Sequence, residues 1–475
     1  MKITKSILAA SLLFFAGFSA NATSIDWAGG YRIEYVDIDR PSLTDPGGKK
    51  SYGLNYLYLQ PKMIASDGIN IISRFDILAN EKPAYRNSQL GSFLGSGLST
   101  GAGANVTAQN SDSSNLRVSQ LYLNVNHEYG NLVVGRSPIE FGLGITHNAG
   151  RGAFDHWMDT KDMIGYKFNV DNISFMPILS RNQQSSFEIG KTISDQIFIF
   201  EYDNKDIGAK AGVFWQTRST SIDSNDTLTA PAGIPQANTV TGGYSAKTIN
   251  LYLERKWTAF EFKLEASFLT GQTGVTASTG EEISHNSYAV ASELLMPARD
   301  SAWEYGLKFG AISGDNKDTV SFEGYQLDQN YDVAILLFNH RMGSGIGTDY
   351  FGTSTLHAND TASNLTVANS ADDEAIGNAI YLAPSFKYLW SEKLDIKSTL
   401  IYAQLMASPD KTFVDFKKDL GIELDIELIY KPRERVTWST GLGILSPGSA
   451  WKNGSGSNLD AKMNYGFTTK AAITF

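Results

Sequence analysis

Long stretches of the chain alternate strictly between apolar and polar positions. Leu420, Ile422, Leu424, Ile426 and Leu428 alternate with Gly421, Glu423, Asp425 and Glu427. Phe260, Phe262, Leu264, Ala266 and Phe268 alternate with Glu261, Lys263, Glu265 and Ser267, and Trp303, Tyr305, Leu307 and Phe309 with Glu304, Gly306 and Lys308. A period of two sends successive side chains to opposite faces of a strand, so each stretch predicts a strand with one apolar and one wet face. No helical period of useful length, linker or composition break interrupts the series, which predicts a single all-β unit.

Strands are predicted at 25–38, 52–65, 69–80, 115–128, 130–137, 161–170, 172–181, 195–203, 206–218, 244–256, 258–270, 284–297, 301–313, 376–390, 392–406, 417–431, 434–446 and 464–475. Tight turns such as Ala65-Ser66-Asp67-Gly68 alternate with long loops rich in Gly, Ser, Asn and Asp. The stretch 184–193 also reads as a strand, but only one descending strand fits between 172–181 and the ascending 206–218, so 182–194 is assigned to a loop excursion. The total is about 18 strands, with about 16 as the alternative, and an even number returns both chain ends to one side of a closed barrel. The glycine run that begins at Gly91 follows no strand and opens no helix, so it is not a nucleotide fingerprint.

The two ends of the chain decide which face is wet. Residues 1–22 read as a secretory signal peptide: Lys2 and Lys5, an apolar run from Ile7 to Phe18, then Ala20-Asn21-Ala22. Residues 23–475 then form one barrel domain. Beyond the leader no stretch approaches the roughly 20 apolar residues of a spanning helix, so any membrane crossing must use a closed barrel. The last strand sets Tyr465, Phe467, Thr469, Ala471, Ile473 and Phe475 on one face and Gly466, Thr468, Lys470, Ala472 and Thr474 on the other. This ending resembles the C-terminal insertion signal of bacterial outer-membrane β-barrels, with Tyr465, Phe467 and Phe475 as its aromatic positions. Trp27, Trp257, Trp303, Trp390 and Trp438 all fall near predicted tight turns or the N-terminus, as one aromatic girdle would. The expected fold is therefore a transmembrane antiparallel β-barrel, and the resemblance implies the outer membrane, its lipid and the barrel-assembly machinery as surroundings.

Cysteine is absent, which rules out a disulfide-stapled fold. Forty Lys and Arg against fifty Asp and Glu give a net charge of −10, so no basic stripe is left for nucleic acid. With lipid outside, the charged strand positions line water. Arg32, Glu34, Lys62, Arg74, Asp76, Arg136 and Lys167 then form a mainly basic early wall, and Glu423, Asp425 and Glu427, beside Asp395 and Lys397, an acidic late wall. Glu261, Lys263 and Glu265 join the lining. Opposed walls set up a transverse field across a wet lumen.

Two loops stand out. Loop 138–160 is the constriction candidate, carrying Glu140, Asp155 and Asp159 toward Arg32, Arg74 and Arg136. With Gly135-Arg136 before it, and Phe141-Gly142 and Phe154-Asp155 within it, the region is similar to porin-like barrels of the alginate-export kind. Loop 314–375 is unusually long, and its segment 322–339 is too apolar to stay in solvent. Asp315, Asn316 and Asp318 lack the spacing of a calcium loop and read as a surface turn.

The six histidines show no i, i+4 pair, and no Gly-x-Ser-x-Gly elbow occurs. His147 or His156 near Asp155 and Asp159 imitates a triad fragment, but loop polarity explains these residues equally well. No enzyme, metal or cofactor is expected. The sequence supports a diffusion channel for small hydrophilic solutes and ions, free to self-associate as a homo-oligomer. The alternative is a non-conducting surface barrel with adhesive or structural loops.

Overall fold

A computed structural model describes residues 24–43, 48–77, 91–92, 116–183, 192–220, 238–240, 243–277, 281–315, 321–340, 342, 375–407, 417–452 and 460–475. The expected leader, most of the glycine-rich run, part of the 182–194 excursion, and Asn316 and Asp318 lie outside the described residues.

Eighteen strands form one closed antiparallel barrel. They are β1 (Ser24–Ile38), β2 (Lys50–Ser66), β3 (Ile69–Ile77), β4 (Leu116–His127), β5 (Gly130–Pro138), β6 (Thr160–Val170), β7 (Ile173–Gln183), β8 (Thr192–Asn204) and β9 (Ala209–Thr220). Then come β10 (Ser245–Lys256), β11 (Glu261–Ala277), β12 (Glu282–Met296), β13 (Trp303–Ile312), β14 (Ala379–Ser391), β15 (Leu394–Leu405), β16 (Asp419–Arg433), β17 (Val436–Pro447) and β18 (Asn464–Thr474). Each pairs with its successor, and β18 pairs with β1, setting Gly30 opposite Thr474 and Ile38 opposite Gly466. Closure removes the unpaired edges that hydrocarbon would not tolerate.

Several strand limits differ from the expected ones: residues 182–183 and 192–194 of the expected excursion are paired strand, and two larger shifts have a visible cause. β9 begins at Ala209, not 206, because Lys205–Gly208 makes the turn, with Gly208 at φ +61°. β11 runs to Ala277, past the expected 270, through a register shift between Gln272 and Thr276, and its tip pairs with Asn238–Val240.

One end of the barrel carries tight turns and both termini of the sheet, and the other carries the long connections. At the turn end, Gly29 and Phe475 exchange two backbone hydrogen bonds of 2.9 and 3.0 Å, sealing the seam.

The outer face is apolar. On β16, Leu424 is 37% exposed and Asp425 3%. A soluble barrel would reverse that order. Trp27, Trp257, Trp303, Trp390 and Trp438 are all exposed on strands or turns at the turn end, whereas Trp451 is buried beneath a loop. The hydrophobic core lies inside the barrel, where Leu336, Leu337 and Phe338 of the long connection pack against Val36, Ile38, Tyr381 and Ile401 of the wall.

Candidate functional site

The connection 139–159 leaves β5, crosses the lumen and returns to β6. On one side it meets β10 and β11. Glu265 Oε2 accepts the Leu143 N–H at 2.7 Å, Thr146 Oγ1 donates to Glu265 Oε1 at 3.1 Å, and Asn250 Nδ2 donates to Thr146 Oγ1 at 2.7 Å. On the other side it meets β1 to β3. Arg32 Nη1 donates to the Asp155 carbonyl at 2.7 Å, Arg74 Nη1 reaches the Gly150 carbonyl at 3.5 Å, and His156 Nε2 lies 2.9 Å from Glu34 Oε1. These two groups of strands stand about half the circuit apart, so the loop is a bridge held at both ends.

The wall it reaches at β1 to β3 is a rigid charged lattice. Arg32 Nε lies 2.7 Å from Glu34, and Arg74 Nε lies 3.1 Å from Asp76. Arg74 Nη2 donates to the Tyr56 hydroxyl at 2.7 Å, and that hydroxyl donates to Asp76. The Arg74 guanidinium also sits 4.2 Å from the centre of the Tyr58 ring. Buried guanidinium groups are tolerable because each is paired with a carboxylate two residues away, Arg74 also bonding through Nε, Nη1 and Nη2 and Arg32 through Nη1.

The segment 321–340 fills another sector of the barrel. The N–H groups of Leu336 and Leu337 donate to Glu423 at 2.7 and 2.8 Å, and that of Ile335 donates to Asp425 at 2.9 Å. Inward glycines on β17 and β18 make the seat: a Cβ on Gly441 would stand 2.8 Å from Ile335, and one on Gly466 2.4 Å from Leu336. Glycine here permits close approach of the loop to the wall.

The two inner connections also hold each other. Asp328 N donates to the Ile145 carbonyl at 2.7 Å, and Asn330 Oδ1 accepts the N–H groups of His156 and Trp157, both at 3.0 Å. The Asp159 and Asp328 side chains lie close enough to influence each other's protonation. Burial, then the nearby Asp159, pushes Asp328 up to about 7. Burial also raises Asp159. His147 goes the other way, lowered to about 3 by burial and by the cations Lys161 and Arg218.

Among the described residues the bridge separates a vestibule from a smaller cavity. A vestibule of about 1060 Å³ at the turn end is lined by Glu140, Arg151, Lys167, Glu201, Lys210 and Lys263 among others. A cavity of about 270 Å³ lies on the far side of the bridge against Thr146, His147, Asp159, Lys161, Arg218 and Tyr244. Lys161 and Arg218 both pair with Asp195, at 3.0 and 2.8 Å. Among the described residues no cluster of His, Asp and Glu is arranged to hold a metal ion.

Several residues expected at the lining sit elsewhere. Arg136 is on the outer face, paired with Asp162 at 2.7 Å between exposed Leu121 and Ile164. It cannot line the lumen. The consecutive Val133 and Val134 conceal in the sequence which face is wet. Glu423 and Asp425 point inward, but the 321–340 segment covers them, so the late acidic wall is not open; Glu427 is half-buried with Lys397 at 3.0 Å.

The expected opposition of loop acid and wall guanidinium does not form. Glu140 pairs with Arg151 of its own loop at 3.0 Å, Asp155 accepts the Gly152 N–H, and Asp159 accepts the Asn148 N–H. Arg32 and Arg74 instead grip loop carbonyls, because each already has a carboxylate two residues away. Lys167 and Lys263 line the vestibule, Lys167 pairing with Glu201 and Lys263 with Glu261, whereas Glu265 is buried under the bridge. Lys62 is half-buried and has the strand parity of the inward Tyr56 and Tyr58. Asp315 is buried, not a surface turn. Tyr56, Asn250, Asn330 and Phe214 were not evident as site residues, since nothing local distinguishes them.

No protein family matches the chain by sequence, and no curated protein does. Solved structures do match. Pseudomonas aeruginosa OccK9 (OpdG) aligns at 12% identity and TM-score 0.50, covering 95% of this chain and 99% of that one. Acinetobacter baumannii OccAB3 aligns at 10% identity with the same TM-score and coverage. A BenF-like porin from Pseudomonas fluorescens Pf-5 aligns at 11% identity and TM-score 0.47, covering 95% and 98%. The chain has a porin fold. In that fold the bridge 139–159 and the inner segment 321–340 narrow the barrel lumen.

Proposed function

We propose that the protein is an outer-membrane channel through which small hydrophilic solutes and ions diffuse passively. The observation that carries this reading is the bridge: a loop held at both walls narrows the lumen without filling the charged vestibule of about 1060 Å³ beneath it. A barrel whose outside is apolar and whose inside is wet and charged is built to let water-soluble matter cross lipid. In this reading the turn end faces the periplasm, the long connections face outward, and the barrel-assembly machinery inserts the chain through its terminal strand. Polyanion export of the alginate kind is not part of it: the likeness rests on the short Gly135-Arg136 to Asp155 stretch, and Arg136 faces outward.

A second reading, a non-conducting barrel that anchors surface loops, draws support from the sector sealed by the 321–340 segment. Single-channel recording of the purified protein in planar lipid separates the two. Discrete conductance steps support the channel, and a silent bilayer containing folded, heat-modifiable protein supports the anchor.

A further inference from the structure

Between the two cavities lies a dry layer one side chain thick. Along β9 the inward positions are Gly212, Phe214 and Gln216: Gly212 lines the vestibule, Gln216 lines the smaller cavity, and Phe214 between them is fully buried. β10 repeats the order with Tyr252, Asn250 and Thr248, Asn250 being fully buried. β8 places fully buried Ile197 above Ile199 of the vestibule and below Asp195, which holds the cations of the smaller cavity. Two residues of strand rise about 7 Å, so this partition is no thicker than one ring or aliphatic side chain.

The wall supplies Phe214, Asn250 and Ile197, which strand pairing fixes. The bridge supplies Phe141. Its ring lies 5.6 Å from that of Phe214 and 6.4 Å from that of Tyr252, while His147 covers Phe214 at 4.5 Å. The bridge backbone is pinned here: Phe141 N donates to the His147 carbonyl at 3.1 Å, Gly144 N to the Phe141 carbonyl at 2.9 Å, and Leu143 N to Glu265. The ring borders a vestibule of about 1060 Å³.

We propose that Phe141 is the gate of the permeation path: its ring closes the partition, and its rotation into the vestibule joins the two cavities along the β6 to β10 wall. The inference rests on the channel reading and deepens it by naming the route and the residue that limits it. An apolar constriction of this size blocks hydrated ions by excluding water, so one ring decides whether charge crosses. Among the described residues, the glycine seat and the Glu423 and Asp425 contacts hold the 321–340 segment against the sector by β16 to β18.

The test compares the parent with Phe141→Ala and Phe141→Cys in planar lipid. Phe141→Ala should raise single-channel conductance severalfold and reduce brief closures. The chain has no cysteine, so Phe141→Cys carries a single thiol, and a charged methanethiosulfonate reagent should cut its current but not that of the parent. If Phe141→Ala fails to assemble as a heat-modifiable barrel, Phe141→Leu, which keeps most of the volume, is judged on conductance in its place. A silent parent with a conducting Phe141→Ala supports a gate held shut. A parent that conducts, with variants matching it and a labelled thiol that leaves the current unchanged, sinks the gate but leaves the channel standing. Silence of the parent and every variant overturns both.

Discussion

Glu265 on β11 accepts the backbone N–H of Leu143 at 2.7 Å, so a carboxylate on one wall holds a loop that begins and ends on other strands. The same carboxylate reaches Thr146 and the N–H of Ile145, and no water-filled space competes for it. The contact joins a strand position legible in the sequence to a loop position that was not. Glu265→Ala leaves these donors unpaired and should cost about 1–3 kcal/mol. In planar lipid the variant should show larger, noisier currents, and limited proteolysis should cut within 139–159 where the parent resists.

Neighbouring residues on β16 separate lipid from lumen. Leu424→Arg puts a charge on the lipid face and should cost about 2–4 kcal/mol near mid-bilayer, read as loss of heat-modifiable protein from the membrane. Asp425→Ala should leave assembly intact and instead loosen the 321–340 segment, since it removes the carboxylate that accepts the Ile335 N–H. The check is proteolysis of that segment beside normal heat-modifiability. Equal loss of assembly for both variants would reverse the assigned faces.

Docking between the inner connections should depend on pH through Asp328. The ordinary value is 3.8, and in the folded protein it is raised to about 7. Between those values the folded form holds a proton the unfolded form has released, so the stabilising contribution is complete below about 4 and lost as pH rises through about 7. The charged groups that face the pair are Asp155 and Asp332 beside Asp328, and Lys161 and Arg218 beside Asp159. Protection of 321–340 from protease should therefore fall as pH rises through neutrality, and Asp328→Asn should flatten that dependence.

Selectivity should follow the vestibule and not the outer face. Neutralising Lys167 and Lys263 together should shift the reversal potential toward cations, and the shift should fade at high salt as screening shortens its range. Arg136→Gln should leave the reversal potential where it was, because the Arg136 pair with Asp162 lies outside the barrel. Bi-ionic recordings on both variants check this.

At the seam, the Phe475 ring covers Gly29, where an added Cβ would stand 2.6 Å from it. Deleting Phe475 removes two backbone hydrogen bonds of the closing pair, and Gly29→Leu drives a side chain into the same ring. Both should lower the folded fraction on unheated gels.

The alternation by itself determined the strands and divided each into a wet and an apolar face, counting about 18 with about 16 as the alternative; the chain ends and the tryptophans, not the pattern, pointed to lipid on the apolar face. Each of these is a local property: a period of two over a single segment separates wet from apolar positions, as Ile422 to Leu428 show, and tight turns count the strands. It also marked 138–160 and 322–339 as loops that must pack. Only the tertiary structure decided where they pack and what they cover. Asn330 meets His156 across 174 residues of sequence, and Glu423 meets Leu337 across 86, pairings that no local period encodes. A charge on a wet face therefore need not meet water. Whether it lines a passage, as Lys167 does, or caps the backbone of an inserted loop, as Glu423 does, depends on which distant segment closes over it.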